Sequence, residues 1–216
     1  MKNEIQYLLI AFIISVFISI PAYCSRSDIL VFLDTETTGL SVLDGHRIVE
    51  IAAIKVDSRT LEQIEEPFRT YINPQRPIDQ KAAEINGLTD EILKDKPLFE
   101  DIADDFLSFI GDYSLVAHNA PFDIGFLNYE LELIKREPLR NSYIDTLSMA
   151  RRAFPGERVN LNALCTRFGI DNSKRKTHGA LIDAEYLIEV YKDLRKCTKT
   201  EPTNLRKFHT QGLPWT

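Results

Sequence analysis

An apolar run that ends in two carboxylates, Asp34 and Glu36, constrains this chain more than any other feature of its sequence. The run occupies residues 29–33 and has the composition of a buried β-strand. Side chains alternate between the two faces of a strand, so the two acids point the same way at its end. Two such charges repel each other, and a buried carboxylate without a partner tends to become neutral. The stretch therefore indicates either a solvated turn with surface acids or a site for a positively charged group.

The rest of the chain alternates short β-rich runs with helical patterns, which is typical of an α/β domain. Its 216 residues, 44% of them apolar, suffice for the core of one domain. The predicted strands are residues 29–33, 47–57, 63–73, 114–119 and 142–146, and the first three form a meander. Two short helices within residues 82–96 are separated at Gly87, with Thr89 as an N-cap. Longer helices are predicted at residues 98–110, 121–134, 161–168 and 180–194.

Both ends of the chain differ from this domain, which we assign to residues 27–196. Within residues 1–26, an uncharged apolar run is long enough for a signal-peptide core and nearly long enough to cross a bilayer. Three interpretations are open: an export signal, a membrane anchor through residues 5–24, or upstream sequence included by a wrongly assigned start codon, which we favour. Residues 197–216 lack periodicity and are interpreted as a linker or docking tail.

Charge and cysteine content narrow the range of functions. A net charge of −6 argues against a protein that coats duplex nucleic acid through many cationic contacts to phosphates, although a local basic strip could grip one strand. The three cysteines, Cys24, Cys165 and Cys197, lack metal-ligand spacing and are odd in number. We interpret Cys165 as a core residue and expect the thiols to be reduced, as in a cytosolic protein.

Two further aspartates fall on the predicted buried faces of helices. Asp183 lies on the apolar stripe of the last helix by its i, i+3, i+4 spacing. Asp123 lies on the apolar face of the helix at residues 121–134, where Asn119 is a candidate N-cap. Two inward-facing helix acids beside the strand-end pair Asp34 and Glu36 are better explained by bound cations than by mutual repulsion.

Carboxylate oxygens without a nearby Cys or His pair suit Mg²⁺ or Mn²⁺ rather than Zn²⁺. Such a cluster can hold two divalent cations about 3.5–4 Å apart, which activate a water molecule and stabilise a phosphate during in-line displacement. Phosphodiester hydrolysis is therefore the chemistry that the acids predict.

A water that attacks phosphorus has to lose its proton, and histidine titrates in the appropriate pH range. His178 is the candidate base, because it precedes the last helix and lies five residues before Asp183. His118 either contacts the substrate or anchors its loop. His46 and His209 are interpreted as surface residues.

Three segments resemble the exonuclease motifs of the DEDD superfamily, in its histidine-containing subgroup: "FLDTETTGL", "HNAPFDIGFLNYEL" and "HGALIDAEYLIEVY". More narrowly, residues 154–184 are similar to the epsilon proofreading subunits of bacterial DNA polymerase III. The resemblance covers about residues 27–195. It implies a ribonuclease H-like three-layer fold, with a mixed five-stranded sheet flanked by helices, and 3′→5′ removal of nucleotides from a DNA end.

The resemblance also implies a role for each acidic residue. Asp34 would bridge two divalent cations, Glu36 and Asp183 would hold the cation of the nucleophile, and Asp123 would hold the other. His178 would be the general base.

Contacts with the terminal nucleotide are expected through Asp34, Glu36, Thr37, Asn86, Asn119 and Asp183. The segment "EINGLTD" departs from the family, which commonly has His in place of Asn86 and an acid in place of Lys81. Glu50, in mid-strand among apolar residues, is interpreted as a support for the acids of the first strand.

The expected partners are a single-stranded or frayed 3′ end of DNA and a polymerase catalytic subunit, in the cytoplasm and without a membrane partner. Residues 211–215, "QGLPW", are faintly similar to a sliding-clamp peptide. One alternative keeps the chemistry but acts on RNA ends or short oligoribonucleotides. Another is a membrane-tethered protein that uses the fold to bind a partner and does not cut.

Overall fold

The computed structural model describes residues 28–173 and 178–197. Five strands form one sheet: β1 (Ile29–Thr37), β2 (Ile48–Asp57), β3 (Phe68–Tyr71), β4 (Ser114–Ala117) and β5 (Tyr143–Asp145). Their order is β3-β2-β1-β4-β5. The first three strands pair antiparallel, whereas β4 pairs parallel with β1 and β5 parallel with β4. The predicted mixed sheet and its opening meander are confirmed.

Seven α-helices are present in the described residues. They are α1 (Gln80–Asn86), α2 (Asp90–Leu93), α3 (Phe99–Ile110), α4 (Ala120–Leu133), α5 (Thr146–Ala153), α6 (Leu161–Phe168) and α7 (Ala180–Cys197). Helix α1 ends at Gly87, whose φ of 73° is the left-handed conformation that glycine adopts without strain. The Thr89 side chain accepts a hydrogen bond from the Ile92 amide, so the predicted N-cap of α2 is confirmed.

Strand β1 is buried on both faces, because helices cover the sheet on both sides. Leu30 and Phe32 pack with α5, α6 and α7 on one face. Val31 and Leu33 pack with α3 and α4 on the other face. This double burial explains why the apolar run has no polar interruption, and it confirms the predicted three-layer arrangement.

The alternation of β1 continues past its apolar run and separates the polar residues at its end. Asp34 and Glu36 lie on the face that α7 covers, while Thr35 lies on the face that α4 covers. Because the strand extends to Thr37, the two acids belong to the sheet rather than to a turn that follows it. Glu36 is buried and lies directly opposite Glu50 of β2. The interpretation of these acids as solvated turn residues is therefore wrong.

Several predicted element boundaries need correction. The third strand spans only Phe68–Tyr71, and residue 63 makes an isolated bridge to Val56. Helix α5 was not predicted, because the stretch around it was interpreted only as a strand. Helix α7 continues past residue 194 to Cys197, a residue that we assigned to the tail.

Cys165 is buried in the core as predicted, and no disulfide joins it to Cys197, the other cysteine in the described residues. Several predictions concern residues outside those that the structure describes, and they stay predictions. They concern the apolar N-terminal segment, Cys24, residues 198–216 of the tail, the clamp-like segment at 211–215 and His209. Among the helices that the structure describes, none has the length and apolarity needed to cross a membrane.

Candidate active site

One cleft, with a volume of about 380 Å³, is lined by all five residues predicted to carry catalysis. Strand β1 supplies Asp34 and Glu36, the first turn of α4 supplies Asp123, and α7 with its preceding loop supplies Asp183 and His178. The other lining residues are Thr35, His118, Phe122, Asn160, Leu161 and Asn162. The central position of β1 in the sheet lets helices from both layers reach its C-terminal end.

Glu36, His178 and Asp183 form a compact group in the cleft. One ligand atom from each residue lies within 4.8 Å of the others, a spacing that a single cation can bridge. Nδ1 of His178 lies 3.4 Å from Oδ2 of Asp183. Asp183 is only 3% exposed, whereas the His178 side chain is 43% exposed and therefore accessible from the cleft. The pairing predicted from a five-residue spacing is thus present in space.

Asp123 reaches the end of β1 from the opposite layer. Its Oδ1 accepts a hydrogen bond from the Thr35 amide at 3.0 Å and another from Thr35 Oγ1 at 2.8 Å. The residue is 3% exposed, and this burial raises the pKa of its carboxyl from 3.8 to about 7. A buried acid at the edge of a cleft, close to its titration point at neutral pH, binds cations in competition with protons.

Asp145 organises the loop before α4, a role that the sequence did not reveal. Its Oδ1 accepts hydrogen bonds from the amides of Asn119 at 3.0 Å and Ala120 at 3.3 Å. The same carboxylate caps α5 through the amides of Leu147 and Ser148. An aspartate directly before a helical stretch is a recognisable N-cap signal, but residues 142–146 were interpreted only as a strand.

The prediction that the Asn119 side chain caps α4 is wrong. Asn119 occupies the N-cap position with a φ of 76°, and its side chain makes no capping hydrogen bond. Asparagine tolerates this left-handed conformation better than most residues, and the Asn119 amide donates to Asp145.

Three predicted nucleotide contacts, Thr37, Asn86 and Asn119, are not among the residues that line the cleft. Thr37 Oγ1 donates to the Gly39 carbonyl at 2.6 Å. Asn86 is buried, and its Oδ1 accepts from the Leu88 amide at 2.9 Å. The contacts of Thr37, Asn86 and Asn119 with a nucleotide stay predictions.

Histidines 118 and 46 both have structural partners. His118 lines the cleft, and its Nδ1 lies 2.9 Å from Thr146 Oγ1, so it anchors its loop and faces the site as well. His46 is buried, with Nδ1 3.0 Å from Thr38 Oγ1. A Cβ on Gly39 would lie 2.3 Å from Cε1 of its ring. The interpretation of His46 as a surface residue is therefore wrong, because the absence of a side chain at Gly39 makes room for the ring.

The donor atoms in the cleft suit divalent cations that prefer oxygen. Carboxylates predominate, two of the aspartates are almost fully buried, and Asp34 faces the same space as Glu36 and Asp183. Buried carboxylates this close together are stable in their charged form only with a positive partner.

The comparisons with known proteins agree with this geometry. The sequence model of the exonuclease family (RNase T type) matches residues 31–191. DNA polymerase III subunit epsilon of Rickettsia felis is 55% identical over 168 residues, which cover 76% of this chain and 72% of that protein. This chain belongs to the epsilon-subunit family of bacterial DNA polymerase III. The epsilon subunit of Escherichia coli K12 is 47% identical over 169 residues, which cover 74% of this chain and 69% of that protein.

Solved structures place this epsilon-family chain in the ribonuclease H-like fold. Exonuclease X in complex with 5′ overhanging duplex DNA superposes with a TM-score of 0.63 and 27% identity, covering 82% of this chain and 96% of that one. The nuclease domain of 3′hExo, a DEDDh family member bound to rAMP, superposes with a TM-score of 0.67, covering 86% and 98%. Its 20% identity shows the fold alone. The predicted fold class is confirmed.

Membership of the epsilon family confirms the predicted activity, 3′→5′ exonuclease action on DNA in proofreading, over the ribonuclease and non-catalytic alternatives. The exonuclease fold also implies that divalent metal ions take part in the reaction.

Proposed function

We propose that this cleft removes nucleotides from a single-stranded or frayed 3′ end of DNA with two divalent cations, Mg²⁺ or Mn²⁺. The observation that carries the proposal is the convergence of four carboxylates and one imidazole, from both helical layers and the central strand, in one cleft. In this proposal the carboxylates of Asp34, Glu36, Asp123 and Asp183 would hold the cations, with Glu36 and Asp183 on the side of His178.

His178 is proposed to accept the proton of the attacking water. When bound, divalent cations lower the pKa of a coordinated water and stabilise negative charge on the phosphate. The imidazole of His178 is exposed to the cleft, and Asp183 lies 3.4 Å from its Nδ1. The carboxylate stabilises the imidazolium that forms when the proton arrives, and it holds the ring toward the reacting water.

Asp123 is proposed to act as a pre-oriented ligand. The two hydrogen bonds from Thr35 fix the position of Oδ1 before a cation binds. Because protonation and cation binding compete at this carboxyl, the proposal predicts tighter cation binding as pH rises through about 7.

Substrate and partners follow from the family. Thr37, Asn86 and Asn119 are proposed to contact the terminal nucleotide, which Asp34, Glu36 and Asp183 position at the cations. Since the relatives are named as subunits of DNA polymerase III, we propose a polymerase catalytic subunit as the partner and the cytoplasm as the location. Binding of residues 211–215 to a sliding clamp is a further hypothesis for the tail.

The test is degradation of a 3′-mismatched DNA primer by the purified full-length chain, with Mg²⁺ or Mn²⁺ and with EDTA. EDTA and Asp34→Asn are expected to abolish nucleotide release, and His178→Ala to slow it by roughly 10²–10⁴-fold. Asp105→Asn, at an exposed site on α3, is the control. A short RNA oligonucleotide should be degraded more slowly than the mismatched DNA. Wild-type cleavage by Asp34→Asn would overturn the assignment of the metal site.

A further inference from the structure

Behind the cleft lies a carboxylate that the proposed mechanism does not use. Glu50 is 2% exposed and lies directly opposite Glu36 in the β1–β2 pair. The register of the two strands shifts beyond Glu36, immediately beside this pair. Such irregularities redirect side chains near functional sites. The position of Glu50 therefore raises the question of what a further buried acid does beside this group of carboxylates.

Each oxygen of Glu50 has a different donor. Oε1 accepts from Nε of Arg69 at 2.8 Å, on strand β3. Oε2 accepts from the backbone amide of Ala180 at 3.0 Å, although the two residues are 130 positions apart in sequence. The guanidinium of Arg69 also donates to the hydroxyl of Tyr71 at 2.5 Å. Glu50 thus connects the far edge of the sheet to the beginning of α7.

The amide that Glu50 binds belongs to the first residue of α7. The first amides of a helix have no partner within the helix, and they carry partial positive charge. A carboxylate at this position stabilises the helix start and fixes its location relative to β2. Asp183 lies in the same first turn, and its amide donates to the Gly179 carbonyl at 3.0 Å.

The segment that carries both His178 and Asp183 is thus held at two separate points. The His178 amide donates to the Ile85 carbonyl at 3.0 Å, and the Ala180 amide donates to Glu50. Burial of Glu50 is made tolerable by Arg69, whose side chain is 43% exposed and supplies the positive charge without entering the cleft.

We propose that Glu50 is a positioning residue, which places His178 and Asp183 opposite Glu36 by binding the first amide of α7, with Arg69 as its counter-ion. The inference depends on the roles proposed above for His178 and Asp183. It assigns to Glu50 no contact with substrate and no cation.

Glu130 provides a matched control within the same chain. It is a fully buried glutamate that also pairs with an arginine, Arg47, through Nε at 2.8 Å and Nη2 at 2.6 Å. It likewise accepts a backbone amide, that of Ile48 at 3.1 Å. Its contacts join α4 to the start of β2 and do not include the segment of His178 and Asp183.

The experiment compares Glu50→Gln, Glu50→Gln combined with Arg69→Met, and Glu130→Gln in the full chain. In Glu50→Gln, the glutamine side chain has only one acceptor oxygen for two donors, Arg69 and the Ala180 amide. The hydrogen bond from Ala180 is therefore expected to weaken. We expect kcat on the mismatched primer to fall at least roughly tenfold, with little change in KM, because such a loss corresponds to one charge-assisted hydrogen bond. Removing the guanidinium in the double variant lets the glutamine oxygen bind Ala180, so most of kcat should return.

Hydrogen–deuterium exchange of the Ala180 amide in the metal-free protein gives a readout that does not depend on activity. Exchange should accelerate roughly tenfold in Glu50→Gln, return toward the wild-type rate in the double variant, and stay unchanged in Glu130→Gln. Glu130→Gln is expected to lower Tm as Glu50→Gln does, while it keeps the wild-type kcat.

Three results would overturn the proposal: a wild-type kcat in Glu50→Gln, no recovery in the double variant, or an equal loss of kcat in Glu130→Gln. If Glu50→Gln does not fold, Glu50→Asp is used instead, because its carboxylate is one methylene shorter and cannot reach the Ala180 amide as closely. Wild-type Ala180 exchange together with a wild-type kcat in that variant would likewise overturn the proposal. A wild-type chain that degrades no DNA would instead refute the proposed function, while the exchange data would still report on Glu50.

Discussion

Replacing Asp123 by Asn is expected to stabilise the metal-free protein at the same time as it removes activity. Burial raises the pKa of this carboxyl from 3.8 to about 7, so at pH 8 the fold has to keep a poorly solvated charge. Asn has almost the same shape, and its oxygen can still accept the two hydrogen bonds from Thr35. Since each pKa unit corresponds to about 1.4 kcal/mol, the gain in the free energy of unfolding at pH 8 is on the order of 4 kcal/mol.

The sign of the pH dependence follows from the direction of the shift. A raised pKa means that the folded state retains the proton of Asp123 more readily than the unfolded state. The contribution of the Asp123 carboxyl to the free energy of unfolding is therefore complete below about pH 4 and is lost as pH rises through about 7. Asp123→Asn should match the wild type near pH 4 and exceed it most at pH 8.

Thermal unfolding followed by circular dichroism in EDTA, from pH 5 to pH 8, measures the effect. For a domain of this size, the gain corresponds to a rise in Tm of roughly 10 °C at pH 8. Mg²⁺ or Mn²⁺ should then raise the Tm of the wild type more than that of the variant, because a cation that binds only the folded state stabilises it.

Asp105→Asn, at an exposed site, should leave Tm unchanged at every pH. Equal Tm values for Asp123→Asn and the wild type at pH 8 in EDTA would refute the reasoning. A difference that is the same at pH 5 and pH 8 would also refute it, because the titration would then belong to another group.

Two further predictions concern the frame around the site. Gly39→Ala places a Cβ 2.3 Å from the His46 ring and should lower the free energy of unfolding in urea by roughly 1–3 kcal/mol. Its control is Gly125→Ala in α4, where no atom lies within 4 Å of the added Cβ. Equal effects of the two substitutions would contradict the steric explanation. Asn160→Ala removes the 2.9 Å hydrogen bond from the Ala163 amide at the start of α6 and should lower the free energy of unfolding by about 1 kcal/mol. Asn160→Asp retains an acceptor for this amide and should keep most of the stability. A similar loss in both variants would show that capping is not the cause.

Local periodicity was sufficient to find the acids of the site. A strand repeats every two residues and a helix every 3.6, so the pattern of apolar neighbours showed that Asp34 and Glu36 share a face and that Asp123 and Asp183 point inward. Both aspartates are 3% exposed, as that pattern predicts. His178 required only its distance in sequence from Asp183.

Interpretations that depended on a single residue type were less successful. His46 was assigned to the surface because it lies in a loop, but the space above Gly39 accommodates its ring. Asn119 is at the N-cap of α4 in a left-handed conformation, its side chain makes no capping hydrogen bond, and its amide donates to Asp145 from another strand. Neither outcome is visible from neighbouring residues in the sequence.

What the sequence determined by itself is therefore most of the elements, with the exception of α5, together with the faces that they bury and the chemical type of the acids. Only the tertiary structure decided which groups meet: Thr35 with Asp123 across 88 residues, and Glu50 with Ala180 across 130. Hydrophobic periodicity is a property of a few adjacent turns or strand residues. Contacts between distant elements depend instead on the order and register of the sheet, which the packing of both cores sets together.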